Sequence, residues 1–276
     1  MAFKQYLKAE LTALDEVYHD EEWRKDFPGR GYYDVQLSTI AKHETAEPML
    51  REFLGKGGLR ILESGCGTGR WIAFFESLGN WCVGIDDSWG PLRVAHGHDP
   101  AMPLVQANVV RKPFRDGAFD VVLSAYVAEH FQDGPEQLFR EIHRVLKANG
   151  LFLVVVPFNN TFRRLVVNPA LRFFYLVWRL RRRPLGFTEF RYLRAEMDGF
   201  LARTNFEVLH VQPDDYRLPW TKGLFCDACD VGSFVHYAPK PPYEFGRFGV
   251  TVARIIQSFG LWHSCEGIFY VARARK

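Results

Sequence analysis

The sequence predicts an α/β fold around a parallel sheet, and three observations carry that prediction. From Leu59 onward, apolar runs of strand length alternate with stretches of helical spacing, the order that right-handed β–α–β crossovers require. The first run, "LRILES", ends in a glycine-rich turn, "GCGTG" at 65–69. A later run, "FDVVLSAY", is apolar enough to be buried on both faces, as an interior strand of such a sheet is.

Each element follows from local pattern. Phe3, Leu7, Leu11, Leu14 and Val17 recur at helical spacing and predict a helix over 3–20. Pro28-Gly29-Arg30-Gly31 then turns the chain. A helix over 44–54 stops at the glycines 55, 57 and 58. "LRILES" is the first strand of the alternation, and 69–78 the helix after it. "WCVGID" is a second strand, 91–96 a short helix, "MPLVQAN" a third strand and "FDVVLSAY" a fourth. A helix over 135–147, closed by Asn149-Gly150, leads to a fifth strand, "LFLVVVP". After Pro157 the rhythm breaks, and 160–190 is basic and aromatic. A helix over 194–203 and the strand "FEVLHVQ" restore it. Residues 213–247, rich in Pro, Gly and aromatics, read as loop; a helix at 249–259 and the strand "GIFYVAR" follow.

Composition narrows the class. A chain of 276 residues with 47% hydrophobic and 24% charged residues can bury a full core, which excludes global disorder. The formal net charge of +3 gives no global argument for nucleic acid. Five cysteines, Cys66, Cys82, Cys226, Cys229 and Cys265, do not form a secreted disulfide framework. With a charged N-terminal stretch and no apolar run near the ~20 residues that span a bilayer, a cytoplasmic protein is expected.

The glycine turn sits where open α/β sheets bind ligands, outside the carboxyl end of a strand and before a helix N-terminus. Glycines let main chain approach a ligand there. A dinucleotide site wants G-x-G-x-x-G, but Arg70 stands at its third position; the pattern present is Gly65-x-Gly67-x-Gly69, preceded by Glu63. A nicotinamide oxidoreductase is thus disfavoured. Asp86 ends the second strand, where a carboxylate can accept both hydroxyls of a ribose. Asn108 can accept from an adenine amino group and the Val109 N–H can donate to a ring nitrogen. Ser124 ends the fourth strand beside the turn.

Taken in order, "ILESGCGTGRW", "VGIDDS", "ANVVRKPFRDGAFDVVLS", "AEH" and "EIHRVLKANGLFLVVVP" resemble a class I S-adenosylmethionine-dependent methyltransferase of the type 11 domain group, closely over 55–158 and more loosely through "RYLRAEMDGFLARTNFEVLHV". The resemblance implies a three-layer, Rossmann-like sandwich with a mostly parallel seven-stranded sheet whose last strand is antiparallel. It implies a single domain over 1–276: an N-terminal helical cover (1–54), a cofactor-binding core (55–158), and substrate-side insertions (159–190 and 213–248). S-adenosyl-L-methionine is the implied cofactor and S-adenosyl-L-homocysteine its product. Carried over by position, Glu63, Gly65, Cys66, Gly67 and Gly69 line the methionine part, Asp86 and Asp87 the ribose side, Asn108 and Val109 the adenine, and the backbone near Ser124 the methionine amino group. Two positions depart from the family. Asn108 replaces a usual aspartate, keeping an acceptor but losing its charge; Asp87 replaces a usual apolar residue, leaving Trp89 as a candidate packing partner for the adenine.

Transfer from a sulfonium is an in-line displacement, so the protein's task is alignment and exclusion of water. A base is needed only for a protonated acceptor. His130 is the candidate, with Glu129 beside it; the alternative is that both only shape the loop. His43, His96, His98 and His143 read as surface or loop residues. Some ubiquinone-pathway O-methyltransferases hold a metal with Glu-x-x-Glu-His, but Tyr126 occupies the first position here, and no metal is expected. Tyr33, with Tyr32, is placed to cover the cofactor through cation–π attraction or to pack the N-terminal segment on the sheet. Non-catalytic binding of cofactor or partner is the remaining class.

Three segments lie outside these motifs. "NPALRFFYLVWRLRRRP", 168–184, has an N-cap, a proline at the first helical position and arginines in its last turn, and more apolar surface than a wetted helix carries. Lid, homodimer contact and peripheral membrane helix (168–183) are its three readings; nucleic acid is not expected. "CDAC" at 226–229 has metal spacing but no second pair, although Cys265, His236 and His263 stand as further ligand candidates; loop thiols are the simpler reading. Arg191, Tyr192 and Arg194 offer themselves to an acidic group or form a solvated helix start. The expected acceptor is a small, partly apolar molecule, with a membrane-associated lipid or quinone as the alternative.

Overall fold

A computed structural model describes residues 1–8, 45–182, 185–218, 223–224, 245 and 247–276. The strands are β1 (Phe3–Lys8), β2 (Arg60–Ser64), β3 (Trp81–Asp86), β4 (Leu104–Gln106), β5 (Phe119–Ala125), β6 (Leu146–Pro157), β7 (Leu185–Arg191), β8 (Phe206–Asp214) and β9 (Gly267–Ala274). The α-helices are α1 (Glu47–Leu54), α2 (Arg70–Ser77), α3 (Trp89–His98), α4 (Glu136–Val145), α5 (Asn168–Leu180), α6 (Arg194–Arg203) and α7 (Arg247–Ser258).

Seven strands form one sheet in the order β4-β3-β2-β5-β6-β9-β8. β9 runs antiparallel to both its neighbours, β6 and β8, while the remaining pairs are parallel. Chain order runs outward from β2 to β4, then returns to the other side of β2 with β5. The carboxyl ends of β2 and β5 therefore flank the switch point, where such sheets leave a crevice.

Side-chain alternation splits the core between the two faces of the sheet. Ile61, Val121, Leu123 and Val155 pack with Ile72, Phe74 and Phe75 of α2 and Leu50 and Leu54 of α1. Leu62, Val122, Val154 and Tyr270 pack with Leu138, Phe139 and Ile142 of α4 and Met197 and Leu201 of α6. β5, second-neighboured on both edges, is buried at five of its seven positions, as its composition predicts.

The N-terminus departs from prediction. Residues 3–8 of the expected helix form β1, which pairs antiparallel with β7 from Phe3–Arg191 to Lys8–Leu185. Phe3 and Gln5 face inward on the strand period, Lys4 outward. Buried Gln5 is polar, so no hydrophobic alternation marks the strand. The Arg163–Val167 turn is a π-helix leading into α5. No helix among the described residues is long and apolar enough to cross a membrane.

Candidate active site

The turn after β2 is held at the switch point by both strand partners. The Gly65 and Cys66 amides donate to the Ile85 carbonyl at 2.8 and 3.1 Å, tying the turn to β3. Gly65, Gly67 and Gly69 all have positive φ, at 80°, 50° and 75°. Their reasons differ. A Cβ at Gly65 would run into Val127, and one at Gly69 into Met102. A Cβ at Gly67 would meet nothing within 4 Å. Only the middle glycine, then, opens onto space a ligand can take; the outer two make room for protein. The sequence pattern also passed over Gly84 in β3, where a Cβ would lie 2.6 Å from Cys66 Sγ and from Ile72 Cδ1, so the turn rests on a bare strand.

Asp86 ends β3 directly beside that opening. Its Oδ2 accepts from the Gly67 amide at 2.8 Å and its Oδ1 from the Ser88 amide at 2.9 Å. Burial lifts its pKa, with these two amides opposing. Each oxygen keeps a further lone pair, which fits a ribose diol. Glu63 is buried on the α2 face, accepts from the Ile72 amide at 3.2 Å, and has its pKa pushed well up by burial against the pull of Arg70. Cys66 is likewise buried, its thiol raised by burial first and by Glu63 second. Asn108 is exposed and accepts from the Val110 amide at 2.8 Å, an Asx-type turn that presents the neighbouring main chain. Val109 is buried against the sheet, Asp87 is exposed, and Trp89 opens α3 with 56% of its surface free. Ser64, the last residue of β2, and Ser124, next to last in β5, are fully buried, and their hydroxyls have no partner among the described residues. Such orphaned groups beside an open turn suit a polar ligand.

Beyond β5 the chain takes a strained step. Tyr126 has φ 56°, uncommon for a side-chain-bearing residue, and its hydroxyl would crowd any Cβ at Gly267 of β9 (2.7 Å). The step brings Val127 against Gly65 and leads into the 3-10 turn Ala128–His130. His130 Nδ1 lies 2.9 Å from the Thr188 carbonyl. A carbonyl only accepts, so Nδ1 carries the proton and Nε2 is left basic. Nε2 is 3.9 Å from Glu129 Oε1. The His130 side chain is more than half exposed, whereas Glu129 is buried, and burial, with Glu189 adding, raises its carboxyl pKa well above the usual carboxylate range.

Glu129 borders a buried polar group that the sequence did not reveal. Arg191 donates to Glu266 at 2.7 Å and to Gln5 at 3.1 Å, and lies 3.3 Å from Glu189. Arg163 donates to the same Gln5 oxygen at 2.7 Å. Asn160 donates to the Gly223 and Cys265 carbonyls, and Asn168 to Asn159. This corrects the reading of Arg191 and Tyr192 as a solvated or substrate-facing pair: both are at most 2% exposed, and Arg191 is an internal counter-ion. Arg194 alone stays at the surface, 58% exposed beside Asp198. His96 and His98 lie in the last turn of α3, and His143 packs edge-on against Phe206.

Tyr32, Tyr33, His43, Cys226, Cys229, His236 and the turn at 28–31 lie outside the described residues, as does most of 213–247. Among the described residues no group of three or more His, Cys, Asp or Glu is placed to hold a metal.

Residues 62–154 match the family described as "Methyltransferase domain". The chain is 32% identical over 114 residues to a probable S-adenosylmethionine-dependent methyltransferase of Mycobacterium tuberculosis, covering 40% of each chain. It is 32% identical over 143 residues to a demethylmenaquinone methyltransferase of Streptomyces avermitilis, covering 52% of this chain and 58% of that one. The chain thus spans about half the length of these curated relatives or less. In fold it is similar to the crystal structure of Burkholderia thailandensis 1,6-didemethyltoxoflavin-N1-methyltransferase with bound 1,6-didemethyltoxoflavin and S-adenosylhomocysteine; the TM-score is 0.53 at 16% identity, covering 97% of this chain and 90% of that one.

Proposed function

We propose, from the class I S-adenosylmethionine-dependent methyltransferase domain that this chain carries, that it transfers a methyl group from S-adenosylmethionine to a small, partly apolar acceptor. The observation that carries the proposal is the bond from the Gly67 amide to Asp86. It fastens the one open glycine of the turn to the carboxylate that ends the next strand. A ribose-binding acid and bare main chain are thereby presented side by side.

When bound, the donor supplies a methyl group already activated by a sulfonium charge. The chain's residues do the rest. Asp86 would take the ribose hydroxyls on its remaining lone pairs, and Asn108 with the Val109 main chain would take the adenine. Glu63, buried under the turn, would face the cationic end of the donor. His130 Nε2 would receive a proton from a hydroxyl or amine acceptor, oriented by the bond between its Nδ1–H and Thr188. Glu129, buried with its Oε1 3.9 Å from Nε2, would position that imidazole.

A membrane-associated lipid or quinone-type acceptor is the second reading. It draws support from the demethylmenaquinone methyltransferase relative and from the apolar, arginine-rich surface of α5.

Isothermal calorimetry with S-adenosylmethionine, S-adenosylhomocysteine and NAD tests the cofactor. The first two should bind and NAD should not, and Asp86→Ala should weaken both by roughly tenfold to a hundredfold, the cost of one or two charge-assisted hydrogen bonds. Absence of binding by either sulfur nucleoside to the folded chain overturns the proposal. Donor binding without transfer to a panel of phenols, amines and quinols would leave a binding protein in its place.

A further inference from the structure

We infer that α5 seats this chain on an anionic phospholipid surface, with a headgroup phosphate held in the cleft between α5, β1 and β7. The inner side of α5 is accounted for: Leu171 and Trp178 are buried, and Leu171 with Val167 packs on Phe3 of β1. The outer side is not. Phe173, Leu176 and Leu180 are 63%, 54% and 74% exposed, and Leu165 and Val166, in the π-helix before them, 73% and 53%. Positions 173, 176 and 180 follow one face of α5, so these three side chains form an apolar stripe, with Leu165 and Val166 exposed in the turn before it. Scattered exposed aliphatics need no explanation, but a rimmed stripe does.

Charge selects the occupant. Beside the stripe lies a cleft of about 650 Å³ lined by Tyr6, Arg172, Tyr175, Arg179, Arg182 and Leu185 among others. Its floor is fastened by the Tyr6 amide donating to the Tyr175 hydroxyl at 3.2 Å and by their edge-on rings. Among the described residues, no carboxylate pairs with Arg172, Arg179 or Arg182, and the sequence has no acid between Glu141 and Glu189. Guanidinium forks left to water suit phosphate oxygens. An apolar protein partner would bury these cations uncompensated, and a nucleic acid would leave the phenylalanine and leucines wet. A bilayer with anionic headgroups satisfies both, taking the stripe into its interface and the arginines onto its phosphates. At 13 residues α5 is too short to span and would lie along the surface.

This inference is independent of methyl transfer, and its test needs no methyl donor. The full chain is sedimented with vesicles of phosphatidylcholine alone and with phosphatidylserine added. It should pellet with the anionic vesicles only and be released by rising salt. Arg172→Gln/Arg179→Gln/Arg182→Gln should weaken partition on the order of a hundredfold. Phe173→Ser/Leu176→Ser/Leu180→Ser should weaken it by at least about tenfold. Both variants should keep the parent's circular dichroism, because all six side chains face outward. Equal partition onto neutral and anionic vesicles, or parental partition by the arginine variant, overturns the inference. So does a parental dimer that the apolar variant turns into monomer at unchanged vesicle affinity, which would assign the stripe to a second copy of the chain.

Discussion

Gly65, Gly67 and Gly69 separate two meanings of a glycine pattern. Gly65→Ala would combine a left-handed φ with a collision against Val127, so a loss of several kcal/mol and a much lower urea midpoint are expected. Gly67→Ala meets no atom and should cost only the ~1–2 kcal/mol of holding alanine in that region. Yet it should lower donor affinity more than stability, because its methyl enters the open space. Calorimetry and urea titration on the two variants read this contrast. Glu63 gives a second prediction. Its pKa is raised in the folded chain, so its ordinary carboxyl charge is withheld as pH climbs from the usual carboxylate range to the raised value. The stability this group lends is full below that window and falls as pH rises through it, so Glu63→Gln should stabilise the free chain progressively more at higher pH. A cation arriving beside Glu63 favours the ionised form. Donor binding should therefore release a proton, visible as a buffer-dependent binding enthalpy and absent in Glu63→Gln; identical enthalpies across buffers would contradict it.

At the scale of elements, the alternating core was legible because each strand and helix there carries its own period. β2, β3, β5 and α6 stand where apolar spacing puts them. β1 did not announce itself, because its inward residue Gln5 is buried by arginines from elsewhere, not by apolar neighbours. Phe3 and Leu7, read alone, fit a helix equally well. The β1–β7 ribbon is in turn tied to Glu266, the residue before β9, through Arg191. Arg191→Met should leave the buried Glu266 carboxylate, and the partly buried Glu189 beside it, without their cation and cost about 3–5 kcal/mol in urea unfolding. Arg191→Met/Glu266→Leu should recover much of that loss, since removing both charges also removes their desolvation penalty. A single variant as stable as the parent would show that the ribbon is not held by this ion group.

For the whole molecule, the site exists because chain order reverses between β2 and β5, which opens the sheet's carboxyl edge at one place. The residues that would hold a donor come from the strand ends and the loops at that edge, Glu63 and Asp86 from β2 and β3 and Gly67 and Asn108 from the turns beyond the strands. Binding should then act by mass action on the folded state alone. S-adenosylhomocysteine at about a hundred times its dissociation constant should add ~2.7 kcal/mol to global unfolding, read as a rise in melting temperature, and Asp86→Ala should cut this to about 0.4–1.4 kcal/mol at the same concentration.

By itself the sequence determined the α/β alternation, the glycine turn, Asp86 at the end of its strand and the family these residues resemble, because each is written within a few consecutive residues. Tertiary structure alone decided which glycine stays open, that burial raises the Glu129 carboxyl, and that Arg191 is an internal counter-ion. Those properties depend on burial and on partners such as Gln5 and Glu266, 186 and 75 residues away in the chain. A local period records which face a residue takes, and it carries no record of the charge that waits there.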